Sequence, residues 1–361
     1  MKKMLKYASC FAVILILMMG TVGCTQEKGV AVGGELPEVS MIETPVKTGP
    51  AANQNLLTGI DDLSKGAIGK RPVAVMVNNV EDALPQYGIA EADVIFELPV
   101  EGNLTRLMAL YADYTAVPNV CAVRSCRYYY PAIAKGFDAF YVHWGSDQTI
   151  FSYVNSLNID RYDGMGNPHN LFGRDTSRRN AGYALEHTGY FKGTKFAEAV
   201  ATDGKRTDLL DSKKGTAFQF CNIDEVVTPA GSACSKVHIN FGAATATLHY
   251  DAEKKVYSKD INGHAHIDGN TGEALTFTNV FVLETNIGID PVNGVHKKFD
   301  WTGGGNSKGY YVSNGAVQEI KWSKESQTDY LKFYTLDGEE LSINRGKSYI
   351  AINYLGQATF E

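Results

Sequence analysis

The sequence predicts an α+β protein, an N-terminal mixed α/β layer domain followed by a mostly antiparallel β C-terminal domain. Three observations carry this reading. Apolar runs alternate with helical stretches up to about residue 207, the pattern of a layered α/β unit. Beyond about residue 217 the runs become short and partly alternating, punctuated by Asn314-Gly315 and Asp337-Gly338, both strong hairpin turns. The 361 residues, 44% hydrophobic and 20% charged, have ordinary globular composition and exceed what one core usually organises, so two separate cores are expected.

The N-terminus stands apart from that average. Lys2, Lys3 and Lys6 precede the apolar stretch Cys10 to Gly20, which is too short for a permanent span and reads as a signal peptide over residues 1–23. Gly23-Cys24 closes it as the lipobox of bacterial lipoproteins does, with Thr21 where Leu is usual, so lipidation of Cys24 is expected. Residues 24–57 are rich in Gly, Pro, Glu, Thr, Asn and Ala with little periodicity, a tether between membrane and domain. The protein is thus expected on the extracytoplasmic face of the cell membrane. Loss of the three lysines moves the formal charge from -6 to about -9, which argues against nucleic acid as a partner.

The first domain is expected over residues 58–207. Val73 to Val77 is a continuous apolar run that suits a strand covered on both faces. Ala92 to Glu97 and Thr105 to Tyr111 flank the turn Val100-Glu101-Gly102-Asn103 and read as a hairpin. A helix over 125–136 leads into a strand at Ala139 to His143; Pro131 falls inside it, which fits a start near Pro131. Asp147 to Leu157 reads as a helix capped by Ser146 or Asp147. Residues 161–193, rich in Gly, Asn and Arg, read as a long functional loop followed by a short helix around Arg178 to Glu186. After a polar connection at 205–215, the second domain is expected over 217–361, with nine short strands between Lys236 and Tyr354.

Four cysteines remain once Cys10 and Cys24 are set aside: Cys121, Cys126, Cys221 and Cys234. Their spacing is not that of a zinc ribbon, and Cys121 and Cys126 read as free thiols in or near a core.

Four constellations could carry chemistry. Glu97, Glu101, Thr105 and Arg106 are either a carboxylate pair for acid and base work or a hairpin end with an ion pair. Arg124, Ser125, Arg127, His143 and Asp147 place two guanidinium forks, a potential helix start and a strand-end histidine together; Ser125 reads as a cap, and the arginines serve either an anion or an internal carboxylate. His169-Asn170 in a Gly-rich loop either donates to a sugar or orients a base, or is only a turn. His264, His266 and Asp268 would share one face of a strand, better suited to a polar patch at the domain junction than to a metal. Gly303 to Lys308 lacks the spacing of a phosphate loop, and no cofactor is expected.

Taken in order, Arg71-Pro72-Val73-Ala74-Val75, Ala92-Asp93-Val94, Val100-Glu101-Gly102 with Thr105-Arg106, Val123-Arg124-Ser125 with Arg127, His143 with Gly145, Pro168-His169-Asn170, and His266 with Asp268 resemble the YerB-like lipoproteins of Gram-positive bacteria. Cys126 stands where a small residue is expected. The resemblance spans about Thr58 to Tyr354 and implies a cell-surface lipoprotein of two α+β domains with no assigned activity. The expected function is binding, with or without processing, of an anionic or carbohydrate envelope component at the domain junction. Its ligand would meet Glu101, Arg106, Arg124, Arg127, His143, His169, Asn170, His266 and Asp268. The competing class is a non-catalytic partner-binding module, and whether the protein is an enzyme stays open.

Overall fold

The computed structural model describes residues 53–302 and 308–361. The signal peptide, Cys24, most of the tether and the glycines at 303–305 lie outside the described residues. The last tether residues are ordered: Leu56 and Leu57 are buried in the core, and the Asn55 amide donates to Asp62 and Asp93. Two leucines in that pentapeptide supply the apolar surface that the preceding stretch lacks.

Strand β1 (Val73–Asn78) is buried along its whole length, as a continuous apolar run requires of a central strand. β2 (Val94–Pro99) and β3 (Thr105–Tyr111) form the expected hairpin, turned by Gly102 at φ +64°. After β4 (Val120–Cys121), helix α1 (Tyr129–Gly136) carries Pro131 in its first turn, where a missing N–H costs nothing. β5 (Phe140–His143) follows, then α2 (Gln148–Ser156), capped by the Asp147 carboxylate on the Thr149 N–H at 2.8 Å. The region read as a long loop holds β6 (Arg161–Asp163), β7 (Phe172–Arg174), α3 (Thr176–Asn180) and β8 (Gly189–Phe191). Helix α4 (Phe196–Thr202) ends this half.

The second half runs through β9 (Ser232–Ala233), β10 (Lys236–Asn240), β11 (Thr245–Asp251), β12 (Val256–Ile261), β13 (His264–Ala265), β14 (Thr276–Phe277) and β15 (Asn279–Thr285). The hairpin β16 (Ile287–Ile289) and β17 (Lys297–Phe299) precedes β18 (Lys308–Ser313), β19 (Ala316–Ser323), β20 (Lys332–Tyr334), β21 (Ser348–Tyr354) and β22 (Ala358–Phe360). The run Glu340 to Ile343 forms only isolated bridges.

The α+β class holds, and the second half is mostly antiparallel, but the two halves are not separate cores. The described residues of both halves cluster as one compact unit. One 11-stranded sheet crosses both halves in the order β20-β19-β18-β15-β21-β2-β3-β1-β5-β6, with β9 added beside β19. The join is the parallel pair β2 and β21, with Val94 opposite Ser348 and Glu97 opposite Ala351. Both are continuous buried runs with no polar face to turn outward, so each needs a neighbour on either side.

One face of this sheet, with Met76, Phe96, Met108, Phe281 and Ile350, packs against α1 and α2 through Tyr130, Ile133, Ile150 and Val154. The other face, with Val75, Ile95, Ala109 and Tyr349, packs against the six-stranded sheet built on β10, β11 and β12 through Val237, Ile239, Leu248 and Tyr257. Cys121, Cys126, Cys221 and Cys234 are buried and free.

Candidate functional site

β5 runs parallel to β1, β6 to β5, and β21 to β2, while β3 is antiparallel to both β1 and β2. The C-terminal ends of these parallel strands therefore share one edge with the start of β3, the place where layered α/β sheets expose their sites. Asn78, Pro99, His143 and Asp163 end their strands there, with Glu97 two residues before the end of β2, and Arg106 enters β3 opposite Asn78.

The segment Ala122 to Cys126 is laced across that edge. Asn78 N–H donates to the Ala122 carbonyl at 2.8 Å, Arg124 N–H to Met76 at 3.0 Å and Cys126 N–H to Gly145 at 3.0 Å. Ser125 consequently sits ahead of α1 without capping it: the cap position is Tyr128. Arg106 donates to the Ser125 carbonyl at 2.6 Å, and Arg127 to the Cys126 carbonyl at 2.6 Å.

Two arginine pairings split the cluster. Arg127 is ion-paired to Glu101, whose second oxygen lies 4.0 Å from Arg106; His296, from the β16–β17 hairpin, approaches the same carboxylate at 3.5 Å. Arg124 turns instead to Glu186 at 3.0 Å and lines a cleft of about 390 Å³ with Trp144, Arg174 and Leu185. Arg174 lies 4.0 Å over the Trp144 ring and donates to the Leu185 carbonyl at 2.7 Å. Arg124 and Arg127 thus serve different neighbours.

Burial would raise the Glu101 carboxyl, but the Arg127 hydrogen bond and the Arg106 charge outweigh it and hold the group down at about 2. Burial and the adjacent Arg127 bring Arg106 down to about 10. His143 is also lowered, chiefly by burial. Its Nδ1 faces the Gly145 carbonyl at 3.0 Å and Asp163 at 3.9 Å, so the neutral ring carries its proton on Nδ1. Gly145 itself adopts φ +78° while its N–H donates to Asp163 at 2.7 Å, a conformation suited to glycine.

The remaining expected residues lie elsewhere. His169 pairs with Asp203 at 2.7 Å, and the Asn170 carbonyl accepts from Lys192; neither lines the Arg124 cleft. His264, His266 and Asp268 do not share a face, because β13 stops at Ala265: His264 is exposed while His266 and Asp268 are buried. Asp268 accepts from the backbone of Ala90 at 2.8 Å and Asn270 at 2.7 Å, a structural role. Among the described residues, no three His, Cys, Asp or Glu groups are placed to hold a metal.

His266 belongs to a buried polar network on the opposite face of the sheet. Its Nε2 contacts Gln86 at 2.9 Å and its Nδ1 contacts Lys259 at 3.1 Å; burial and the Lys259 charge keep its pKa well below the ordinary value. Lys259 lies 3.3 Å from Glu97, which also accepts from Tyr349 at 2.7 Å, Asn79 at 2.9 Å and Thr105 at 2.8 Å. Glu97 is therefore a fully paired interior carboxylate and Glu101 the half-exposed one, so the two do not work as a pair.

Sequence reasoning missed Arg174, Glu186, His187, Lys259 and His296. Only Lys259 left a signal: it alternates with Tyr257 and Ile261 on the apolar face of its strand, where a lysine demands a buried partner.

Residues 57–206 match the N-terminal domain, and residues 237–350 the C-terminal domain, of a family described as a protein of unknown function, DUF3048. The chain is 28% identical over 300 residues to "Putative lipoprotein YerB" of Bacillus subtilis (strain 168), covering 82% of this chain and 85% of that protein. The crystal structure of YerB from Bacillus subtilis superposes with a TM-score of 0.71 at 25% identity, over 85% of this chain and 98% of that one. With both domain matches in order along most of its length, the chain belongs to the YerB-like DUF3048 family.

Proposed function

We propose that this protein is held on the extracytoplasmic face of the membrane by a lipid on Cys24 and binds an anionic component of the cell envelope, free or glycan-linked, at the strand edge around Arg124 in its first half instead of at the junction of the two halves. The lipoprotein name of the Bacillus subtilis relative and the lipobox-like Gly23-Cys24 support the anchor. One observation supports the site. Buried polar side-chain atoms are almost always hydrogen-bonded, yet Glu101 Oε2, Arg124 Nε, Arg127 Nε and His143 Nε2 are buried at this one strand edge without a hydrogen-bond partner among the described residues. Three of the four are nitrogens, and Arg124 opens on the cleft shared with Arg174.

The test is isothermal titration with phosphate, citrate and muropeptide or teichoic-acid fragments, for wild type, Arg124→Ala and Arg124→Lys. Charge-assisted hydrogen bonds contribute about 1.5 to 3 kcal/mol, so Arg124→Ala should weaken binding by about one to two decades. Lysine keeps the charge but loses the fork and should rescue only in part. Absence of any anion binding, or equal binding by Arg124→Ala, refutes the reading. A second reading, a partner-binding module, draws on the apolar tip of the β16–β17 hairpin, where Ile289, Val292 and Val295 are exposed. A Val292→Glu variant that loses a protein partner while anion binding persists would favour it.

A further inference from the structure

The cleft beside Arg124 shares its wall with a second. Ala184, Leu185 and Glu186 line the first, while Ala184 and His187 line a neighbouring cleft of about 430 Å³ with Glu81, Asp82 and Tyr183. The two carry opposite charge. Arg124 and Arg174 stand at one end; at the other, Glu81 and Asp82 are exposed and pair with no base among the described residues.

Between the two ends lies His187, with only 7% of its side chain exposed. Its Nδ1 meets the buried Asn78 amide nitrogen at 2.9 Å, which places the proton of the neutral ring on Nε2. That Nε2 makes no hydrogen bond to a described residue and stands 3.7 Å from Glu186, too far for one. A more than nine-tenths buried donor is thus turned to the shared wall.

The spacing of the two ends is held by one side chain. Arg178 is buried and donates to the Ala83 carbonyl at 2.8 Å, to the His187 carbonyl at 3.0 Å and to the Pro85 carbonyl. Its guanidinium lies 4.4 Å from the Tyr87 ring centre and 5.1 Å from that of Tyr183, whose hydroxyl donates to the Leu84 carbonyl at 2.8 Å. The acidic turn and the shared wall are therefore one rigid piece, organised before any ligand arrives.

We propose that the two clefts form a single groove for a short zwitterionic peptide, its carboxylate held by Arg124 and Arg174 and its ammonium by Glu81 and Asp82. The inference rests on the reading of Arg124 as an anion-binding residue and adds the requirement for an amine at the other end. A purely anionic ligand uses only the arginine end of the groove.

The experiment titrates the protein with tetra-alanine, N-acetyl-tetra-alanine and inorganic phosphate, for wild type, Arg124→Ala and Glu81→Gln/Asp82→Asn. Both acids are exposed, so the double variant should keep the wild-type melting temperature. Free tetra-alanine should bind wild type about tenfold better than the acetylated peptide, the effect of one charge-assisted contact. That ratio should fall to about one in Glu81→Gln/Asp82→Asn, and Arg124→Ala should weaken both peptides. Equal binding of the two peptides to wild type, or phosphate binding with no peptide binding, overturns the groove while leaving the anion site standing. If neither phosphate nor peptide binds, the anion site falls and the groove with it.

Discussion

Replacing Glu101 by glutamine tests the electrostatics of the strand edge directly. The carboxyl sits between Arg127 and Arg106 with 23% of its side chain exposed and is held at about 2 against an ordinary 4.5. At 1.36 kcal/mol per unit, that difference corresponds to about 3 kcal/mol of stability. Because the folded value is depressed, the contribution is complete above pH 4.5 and fades as pH falls through about 2. Glutamine keeps the shape and leaves two buried guanidinium groups facing each other without a counter-charge. Urea unfolding followed by tryptophan fluorescence should show Glu101→Gln about 2 to 3 kcal/mol less stable at pH 7, through a lower midpoint at unchanged slope. The gap should narrow steadily between pH 4.5 and pH 2.5. A difference under about 0.5 kcal/mol at pH 7, or a gap of the same size at every pH, would refute the argument.

Three further outcomes can be checked. Lys259→Met should cost about 3 kcal/mol or more in urea unfolding, since it leaves the buried Glu97 carboxyl without its cation; adding Glu97→Gln should recover part of the loss, and full additivity would show the two groups to be uncoupled. The link at 205–215 should resist trypsin despite its polar composition, because Arg206 and the Leu210 N–H both bind Asp138 and the Thr207 carbonyl accepts from Arg71; Asp138→Ala should expose it, and rapid cleavage of wild type at Lys205 or Arg206 would contradict this. Cys24→Ala should abolish metabolic labelling with a fatty acid, and equal labelling of variant and wild type would remove the lipid anchor from the proposal.

Local structure was legible where a short stretch decides it. The run Val73 to Val77, the hairpin around Gly102, the Asp147 cap and the Asn314-Gly315 turn all appear where composition and turn chemistry place them. Pairing across the chain was not. β15 and β21 are as continuously buried as β1, a sign of central strands, but amid alternating neighbours they read as members of a self-contained antiparallel domain. At the site, the arginines near strand ends and Glu101 were visible, whereas Glu186, which pairs with Arg124, and His296, which approaches Glu101, come from loops whose positions only the packed fold determines. The histidine alternation at 264 to 268 failed for a similar reason, since a two-residue strand preserves no face.

The shared sheet also governs the order in which the protein can be completed. Tyr349 and Glu97 are hydrogen-bonded across 252 residues of chain, and β21 wedges between β2 and β15 near the very end of the sequence. A chain that emerges from its N-terminus first holds β2 with β3 alone as neighbour until Ser348–Tyr354 has been made. Such distant contacts form slowly, because the loop must close before its pairing is rewarded. The mixed sheet is therefore completed only once β21 has been made. Until then β2 keeps an unpaired apolar edge, open to pairing with another copy before β21 arrives.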